Sequence, residues 1–298
     1  MRTFRFILFF LFCLQLLSFS NDSLSVFKKR KLVLGISSLA ITSGSIIYLN
    51  QAWYQKYNTS TFHFFNDNYE WYHMDKFGHT FTNYQTARLM MGAMKWAGYS
   101  DKKQILIGGL SGFTYMAVVE VMDGYSAGWG FSWGDVAANT LGTGMAIGQK
   151  IAWNEQRIQL KFSFLNSSYA KYNPDLLGKN LSEQILKDYN GQTYWLSINP
   201  SAFMKKENNF PKWLNFAFGY GGNGMLNAHY NTLVVKDENG NPINFDRYMQ
   251  YYFSLDADLT RIKTKSKFLK SVFSCINVIK IPFPNLEFSQ NKLKFNYY

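Results

Sequence analysis

Cysteine is nearly absent: Cys13 and Cys275 are the only two in 298 residues, and Cys13 falls in a stretch that reads as a cleavable leader. A mature chain with one cysteine cannot close an intrachain disulfide, so packing and the membrane must hold the fold. The CxxC and HExxH spacings of metal sites are missing, and so is any recognised nucleic-acid motif, which puts nucleic acid outside the expected partners. Charge is missing in blocks. Leu32–Leu49 is eighteen residues without one, about the minimum for crossing a hydrocarbon layer. Residues 104–149 contain no Lys, Arg or His, so any acid placed there has no basic neighbour in sequence.

What is abundant is apolar and aromatic. Apolar residues make up 47% of the chain and aromatic ones 18%, as 27 Phe, 20 Tyr and 8 Trp. The first figure provides a core, and the second exceeds what a soluble core needs and suits interfaces and membrane surfaces. The formal charge of +12 favours anionic lipid headgroups and other envelope polyanions. Residues 1–20 have the build of a secretory signal: Arg2 and Arg5, the apolar run Phe6–Leu17, then Ser18-Phe19-Ser20 as a small-x-small cleavage site before Asn21. Cleavage removes two arginines and leaves +10, so the basic bias survives. Phe12 before Cys13 is too large for a lipid-attachment signal, which argues against lipidation.

The pattern predicts an α+β chain: signal peptide 1–20, a helical membrane-associated domain 21–155 and a β-rich C-terminal region 156–298. After the basic cluster Lys28–Lys31 and the uncharged run, helical periodicity covers about 75–97, 103–123 and 133–152, which gives a four-helix bundle. Gly108-x-x-x-Gly112 and Gly144-x-x-x-Gly148 have the spacing that lets helix backbones approach. From about 157 the period becomes two, with Ile158, Leu160, Phe162 and Phe164 on one side and Arg157, Gln159, Lys161 and Ser163 on the other. The alternation recurs in 194–198, 214–220, 251–259 and 293–297, so the sheet is mostly antiparallel. Short helices are expected at 182–188 and 268–279, the second led by Arg261, Lys263, Lys265 and Lys267, which reads either as an interfacial anchor on an anionic surface or as a solvated strand end followed by a docked core helix. The five to seven candidate strands fall below the eight of the smallest bacterial outer-membrane barrels, so the expectation is a packed sheet.

Chemistry concentrates in the helices. Glu120, Asp123 and Asp135 sit among apolar neighbours, and a carboxylate in such a place must be paired, protonated, hydrogen-bonded or metal-bound. Asp75 and His79 are one turn apart on a predicted helix, with Lys76 beside them and Asn83 and Arg88 further along. Glu120 with Asp123, and Asp135 with Asn139 and Gly142, repeat that spacing, so each helix carries a polar seam. Ser132, three residues before Asp135, has the place of an N-cap, and Ser126 lies in the loop after Asp123. Two readings stay open. In one, Lys76, His79 and Arg88 satisfy the acids in a network that fixes helix register. In the other, His79, Asp75, Glu120 and Asp135 are acid-base groups, or His79, Glu120 and Asp123 hold a divalent cation such as Mg, Mn or Zn. His63, His73 and His229 are scattered and read as structural, and the Gly-rich stretch 218–224 opens no helix that would make it a nucleotide loop.

As an ordered set, Asp75-Lys76-x-x-His79, Glu120-x-x-Asp123-Gly124-x-Ser126 and Ser132-x-x-Asp135-x-x-x-Asn139-x-x-Gly142 resemble a bacterial family of predicted periplasmic lipoproteins of unknown function, related to YfiM. The resemblance covers about 50–150. It is similar more distantly to VanZ-like membrane proteins, in which a DKxxH, a later Glu and a DxxxNxxG lie on successive membrane helices. The first family implies an envelope location and a role for the seam, and neither supplies a reaction. The chain departs from the first in its leader cysteine and from the second in its signal peptide and β-rich half. The expectation is an exported, membrane-associated envelope protein, outer membrane favoured, that meets lipids and an envelope protein partner in a structural or assembly role. The alternative is a metal-assisted hydrolase or transferase acting on a lipid-linked or phosphorylated envelope substrate.

Overall fold

The computed structural model describes residues 24–297 apart from 206, 208 and 237; the leader and Cys13 lie outside the described residues. The chain forms two compact units. One contains the described residues up to Asp67, His79–Gln156 and Thr264–Cys275, and the other contains Asn68–Gly78, Arg157–Lys263 and the described residues from Ile276 onward.

Helices build the first unit. Helix α1 (Leu24–Ala52) and the stretch Asp101–Gly124 are long and apolar enough to cross a membrane by length and composition. Leu32, Ile36, Leu39 and Ile47 on α1 are each more than half exposed. Helix α2 (Met74–Trp96) packs against α1 through Met94 and Ala97 on Leu34. The stretch from Asp101 passes through a π-helical segment, Gln104–Gly109, into α3 (Ser111–Gly124), and α4 (Trp133–Trp153) follows. These are the helices the periodicity predicts. Ser132 caps α4 as its spacing suggests, its Oγ accepting from the Asp135 amide at 3.2 Å. The expected glycine approaches hold for one pair only. A Cβ on Gly112 would stand 3.0 Å from the Asn83 carbonyl oxygen, whereas Gly144 and Gly148 face open space. The tightest approach is at Gly142, where a Cβ would meet the Thr80 carbonyl oxygen at 2.1 Å, so this glycine sets the α2–α4 separation.

The second unit is built on a six-stranded antiparallel meander: β1 (Ile158–Phe164), β2 (Gln192–Ile198), β3 (Leu214–Asn223), β6 (Tyr248–Ala257), β7 (Asn285–Ser289) and β8 (Lys292–Asn296). The strands β4 (Val235–Lys236) and β5 (Pro242–Ile243) form a separate two-stranded ribbon between β3 and β6. The short helix α5 (Leu181–Lys187) falls where the sequence places it, and so does α6 (Lys267–Ile276), which up to Cys275 belongs to the first unit. Strand β7 was not foreseen.

The alternation predicted for β1 is present, and it is the polar side that faces inward. Gln159 and Lys161 are buried, Lys161 completely, while the apolar row is half-buried or exposed. The polar face continues inward across the sheet through Ser197, Asn215, Ser254 and Asp256. Lys161 Nζ lies 2.7 Å from Asp256 Oδ2 and donates to the Ala257 carbonyl at 2.8 Å. In a flat sheet β1 and β6 would stand roughly 14 Å apart, three strand spacings. Lys161 bridges that interval only if the sheet curls with its polar face inward. The outer edge of β1 is closed by a parallel bridge from Phe162 to Ile279, and that segment brings Lys280 Nζ to Ser254 Oγ at 2.8 Å. The expected packed sheet is thus a curled one, with ion pairs and amides on its concave side.

Candidate functional site

Helical spacing brings most of the seam together. On α2, His79 and Asn83 are one turn apart; on α3, Glu120 faces them; on α4, Asp135, Asn139 and Thr143 follow at successive turns. The imidazole of His79 stands between two carboxylates: Nδ1 is 3.4 Å from Glu120 Oε1 and Nε2 is 3.6 Å from Asp135 Oδ1. The same Nδ1 is 3.1 Å from Asn139 Oδ1, which also accepts from Asn83 Nδ2. Asn83 Nδ2 donates in addition to the His79 carbonyl, and Thr143 Oγ1 donates to Asn83 Oδ1 at 3.4 Å. Glu120, Asp135, Asn83, Asn139 and Thr143 are all buried, whereas the His79 side chain retains 13% of its exposure. The histidine is therefore the member of the group nearest to solvent.

Glu120 and Asp135 also reach the start of α4. The Ser132 amide donates to Glu120 Oε2 at 3.4 Å, and Ser132 Oγ donates to Asp67 Oδ1 at 2.6 Å. Ser132 thus uses its amide and both hydroxyl roles at once. This ties the loop before α2 to the seam through Asp67, which sequence spacing did not flag because a lone loop aspartate belongs to no periodic pattern. Thr143 was also missed, although its place one turn after Asn139 carried the signal.

Other predicted members lie elsewhere. Asp123 Oδ1 accepts from the Tyr54 hydroxyl at 2.6 Å, and burial, followed by the Asp123 charge, pushes the Tyr54 phenol well above its ordinary range. Ser126 accepts from the Gly128 amide and closes the loop after α3. Lys76 pairs with its neighbour Asp75 at 3.1 Å. Arg88, expected among the counter-charges of the seam, is turned to α6, donating to Ser274 Oγ at 3.3 Å and to its carbonyl at 3.1 Å. Asp75 keeps its place one turn before His79 on α2, and its Oδ1 accepts from the Tyr189 hydroxyl at 2.8 Å. Within the helical unit, His79 and the Glu120 and Asp135 carboxylates beside it are the groups that could offer atoms to a metal.

Just before α2 the backbone is strained. Trp71, Tyr72 and His73 have φ of 49°, 50° and 62°, three consecutive non-glycine residues in the left-handed region. Each such residue costs about 1–2 kcal/mol. The Trp71 amide donates to the Ala228 carbonyl, the Tyr220 hydroxyl donates to the Tyr72 carbonyl, and the Arg247 guanidinium stands 5.0 Å over the Tyr72 ring. These contacts fix the turn from which Asp75 and His79 emerge. The histidines set aside as structural fit that role: His63 Nε2 is 2.6 Å from the Trp129 carbonyl, and His229 pairs with Glu70 at 3.4 Å.

No curated protein and no solved structure matches the chain. Residues 63–149, which span α2 to α4 and the whole of the described seam except the Tyr54 contact, match the model of a family described as "Predicted periplasmic lipoprotein (DUF2279)".

Proposed function

We propose that this chain is an exported cell-envelope protein with a structural or assembly role, whose helical unit is locked in register by the polar seam. The observation that carries the reading is the placement of His79 between Glu120 and Asp135, inside a buried set of amides and a hydroxyl that bond to one another. Groups satisfied among themselves specify how three apolar helices meet, because sliding any helix by a turn would strand charges in an apolar surround. The match to a family described as periplasmic and the signal-like leader support export. The two stretches long and apolar enough to span, with their exposed apolar faces, support membrane association. The alternating strands with their outward aromatic side chains favour the outer membrane.

The metal-assisted hydrolase or transferase remains the second reading, carried by the His79 imidazole held between the Glu120 and Asp135 carboxylates and by its residual exposure. One histidine and two carboxylates suit a hard or borderline divalent ion that keeps open positions for water or a phosphorylated substrate. Elemental analysis of purified protein separates the two. The structural reading expects no stoichiometric metal, with His79→Ala and Glu120→Gln each lowering the melting temperature. A stoichiometric divalent ion in the wild type that is lost in His79→Ala overturns it in favour of the enzyme.

A further inference from the structure

The register of the curled sheet places six residues in one line across all six strands: Leu160, Leu196, Phe218, Phe253, Leu286 and Phe295 are successive cross-strand partners. Every one is apolar. Phe218 and Phe295 are half exposed, Leu196, Phe253 and Leu286 more than a third. The neighbouring row, from Phe162 and Tyr194 to Phe288 and Leu293, is apolar or aromatic throughout, and Phe77 covers part of it by stacking on Tyr194 and Tyr220. In the row beginning at Leu160, the residues from Leu196 to Phe295 keep more than a third of their exposure.

The opposite face carries the polar groups, and its charged members are bonded to neighbours. Asp256 accepts from Ser197 Oγ at 2.6 Å and from the Ile281 amide at 3.0 Å besides its pairing with Lys161. Gln159 donates to Asp258 at 2.7 Å, and Glu287 accepts from Gln250 at 3.0 Å. A water-soluble sheet turns its apolar face to the core and its polar face to solvent. Here both assignments are reversed, and that reversal is favourable where the surroundings of the outer face are hydrocarbon.

We infer that the outer face of this sheet is seated in the acyl-chain region of a lipid bilayer. A protein partner would need polar groups to fix its orientation, and the row from Leu160 to Phe295 has none. A bilayer asks only for continuous apolar area with amphipathic rings at its border. Trp213, 43% exposed at the foot of β3, is such a ring. The basic balance of the chain suits the anionic headgroups beside that region. The inference rests on the membrane association proposed above and names a surface that carries it.

The test uses the chain with Cys13→Ser, Cys275→Ser and one new cysteine, Phe218→Cys, Phe253→Cys or, in the turn between β4 and β5, Asn239→Cys, each bearing an environment-sensitive fluorophore. The proteins are bound to phosphatidylethanolamine–phosphatidylglycerol vesicles with or without bromine on the acyl chains. Acyl-chain bromine is expected to quench the labels at 218 and 253 and to spare the label at 239. If the protein floats with the vesicles while the labels at 218 and 253 stay open to aqueous iodide, the inference fails and membrane association stands. If it does not float at all, both fail. Protection of both labels without lipid, growing with protein concentration, assigns the face to a second copy and also overturns the inference. In an unlabelled pair of variants, Phe218→Glu with Phe253→Glu lowers vesicle partition roughly ten-fold or more, while Phe218→Leu with Phe253→Leu retains it. Equal loss in both, with unchanged circular dichroism, would count against the sheet as the lipid-bound surface.

Discussion

In the helical unit the seam joins one imidazole, two carboxylates, two amides and a hydroxyl, supplied by neighbouring turns of three helices. In the sheet the central group is a full ion pair, Lys161 with Asp256, reached across strands far apart in the chain, while Arg261 pairs locally with Asp258 three residues before it. The difference follows from backbone geometry. A helix presents side chains every turn along one line, so short polar groups on adjacent helices can meet by register alone. A curled sheet leaves a gap between non-adjacent strands, and a long lysine stem is what crosses it. The helical seam therefore depends on how close the backbones come, and the sheet on the charges themselves.

That contrast can be broken most forcefully at Asp256. Asp256→Asn removes the partner of a fully buried lysine and is expected to cost about 3–5 kcal/mol, read from denaturant unfolding in mild detergent. Replacing both members, Lys161→Met with Asp256→Leu, should cost less than Asp256→Asn alone; an equal or larger loss would show that the pair is not the element that closes the curl. In the helices the sensitive position should be a glycine. Gly142→Ala drives a methyl against the Thr80 carbonyl and is expected to lose about 1–3 kcal/mol. Gly144→Ala, facing open space, should be neutral or stabilising by up to about 1 kcal/mol. Equal effects at the two would remove close backbone approach from the account of the seam.

The smallest effect sharpens the contrast by pH. Burial, with Lys161 adding to it, pulls the Lys280 pKa from 10.5 down to about 8, against the opposing pull of Asp256. Between about pH 8 and 10.5 the unfolded chain then holds more of this proton than the folded one, so stability rises with pH across that window. The penalty is fully present below about pH 8. Comparison with Lys280→Met isolates it from the tyrosines: wild type should gain on the variant from pH 8 to 10, and a flat difference would mean that Lys280 is not desolvated.

Much of the helical unit was legible in the sequence, because amphipathic spacing and capping are local. Ser132, Asp135 and Asn139 announce the start of α4 and its polar line, and Asp75 with His79 does the same for α2. Partners were less legible. Arg88 has the right period to join the acids and instead meets Ser274, a choice made by the packing of a helix nearly two hundred residues later. In the sheet, alternation located β1, β2, β3, β6 and β8, but a period of two is symmetrical and does not say which face is inside. Strand β7 escaped because Asn285–Ser289 is short, follows Pro282 and Pro284, and places Asn, Glu and Ser on its inner side.

The reach of Lys161 to the far side of its sheet also sets a clock. The six strands of the meander pair in chain order, so neighbours can join one after another as the chain emerges, each closing a loop shorter than the span from Lys161 to Asp256. The Lys161–Asp256 contact spans 95 residues of that order and forms only when the sheet curls. Until then the polar row stays hydrated. The expected sequence of events is extension first and curling last, so that burial of the lysine marks the end of maturation of this unit.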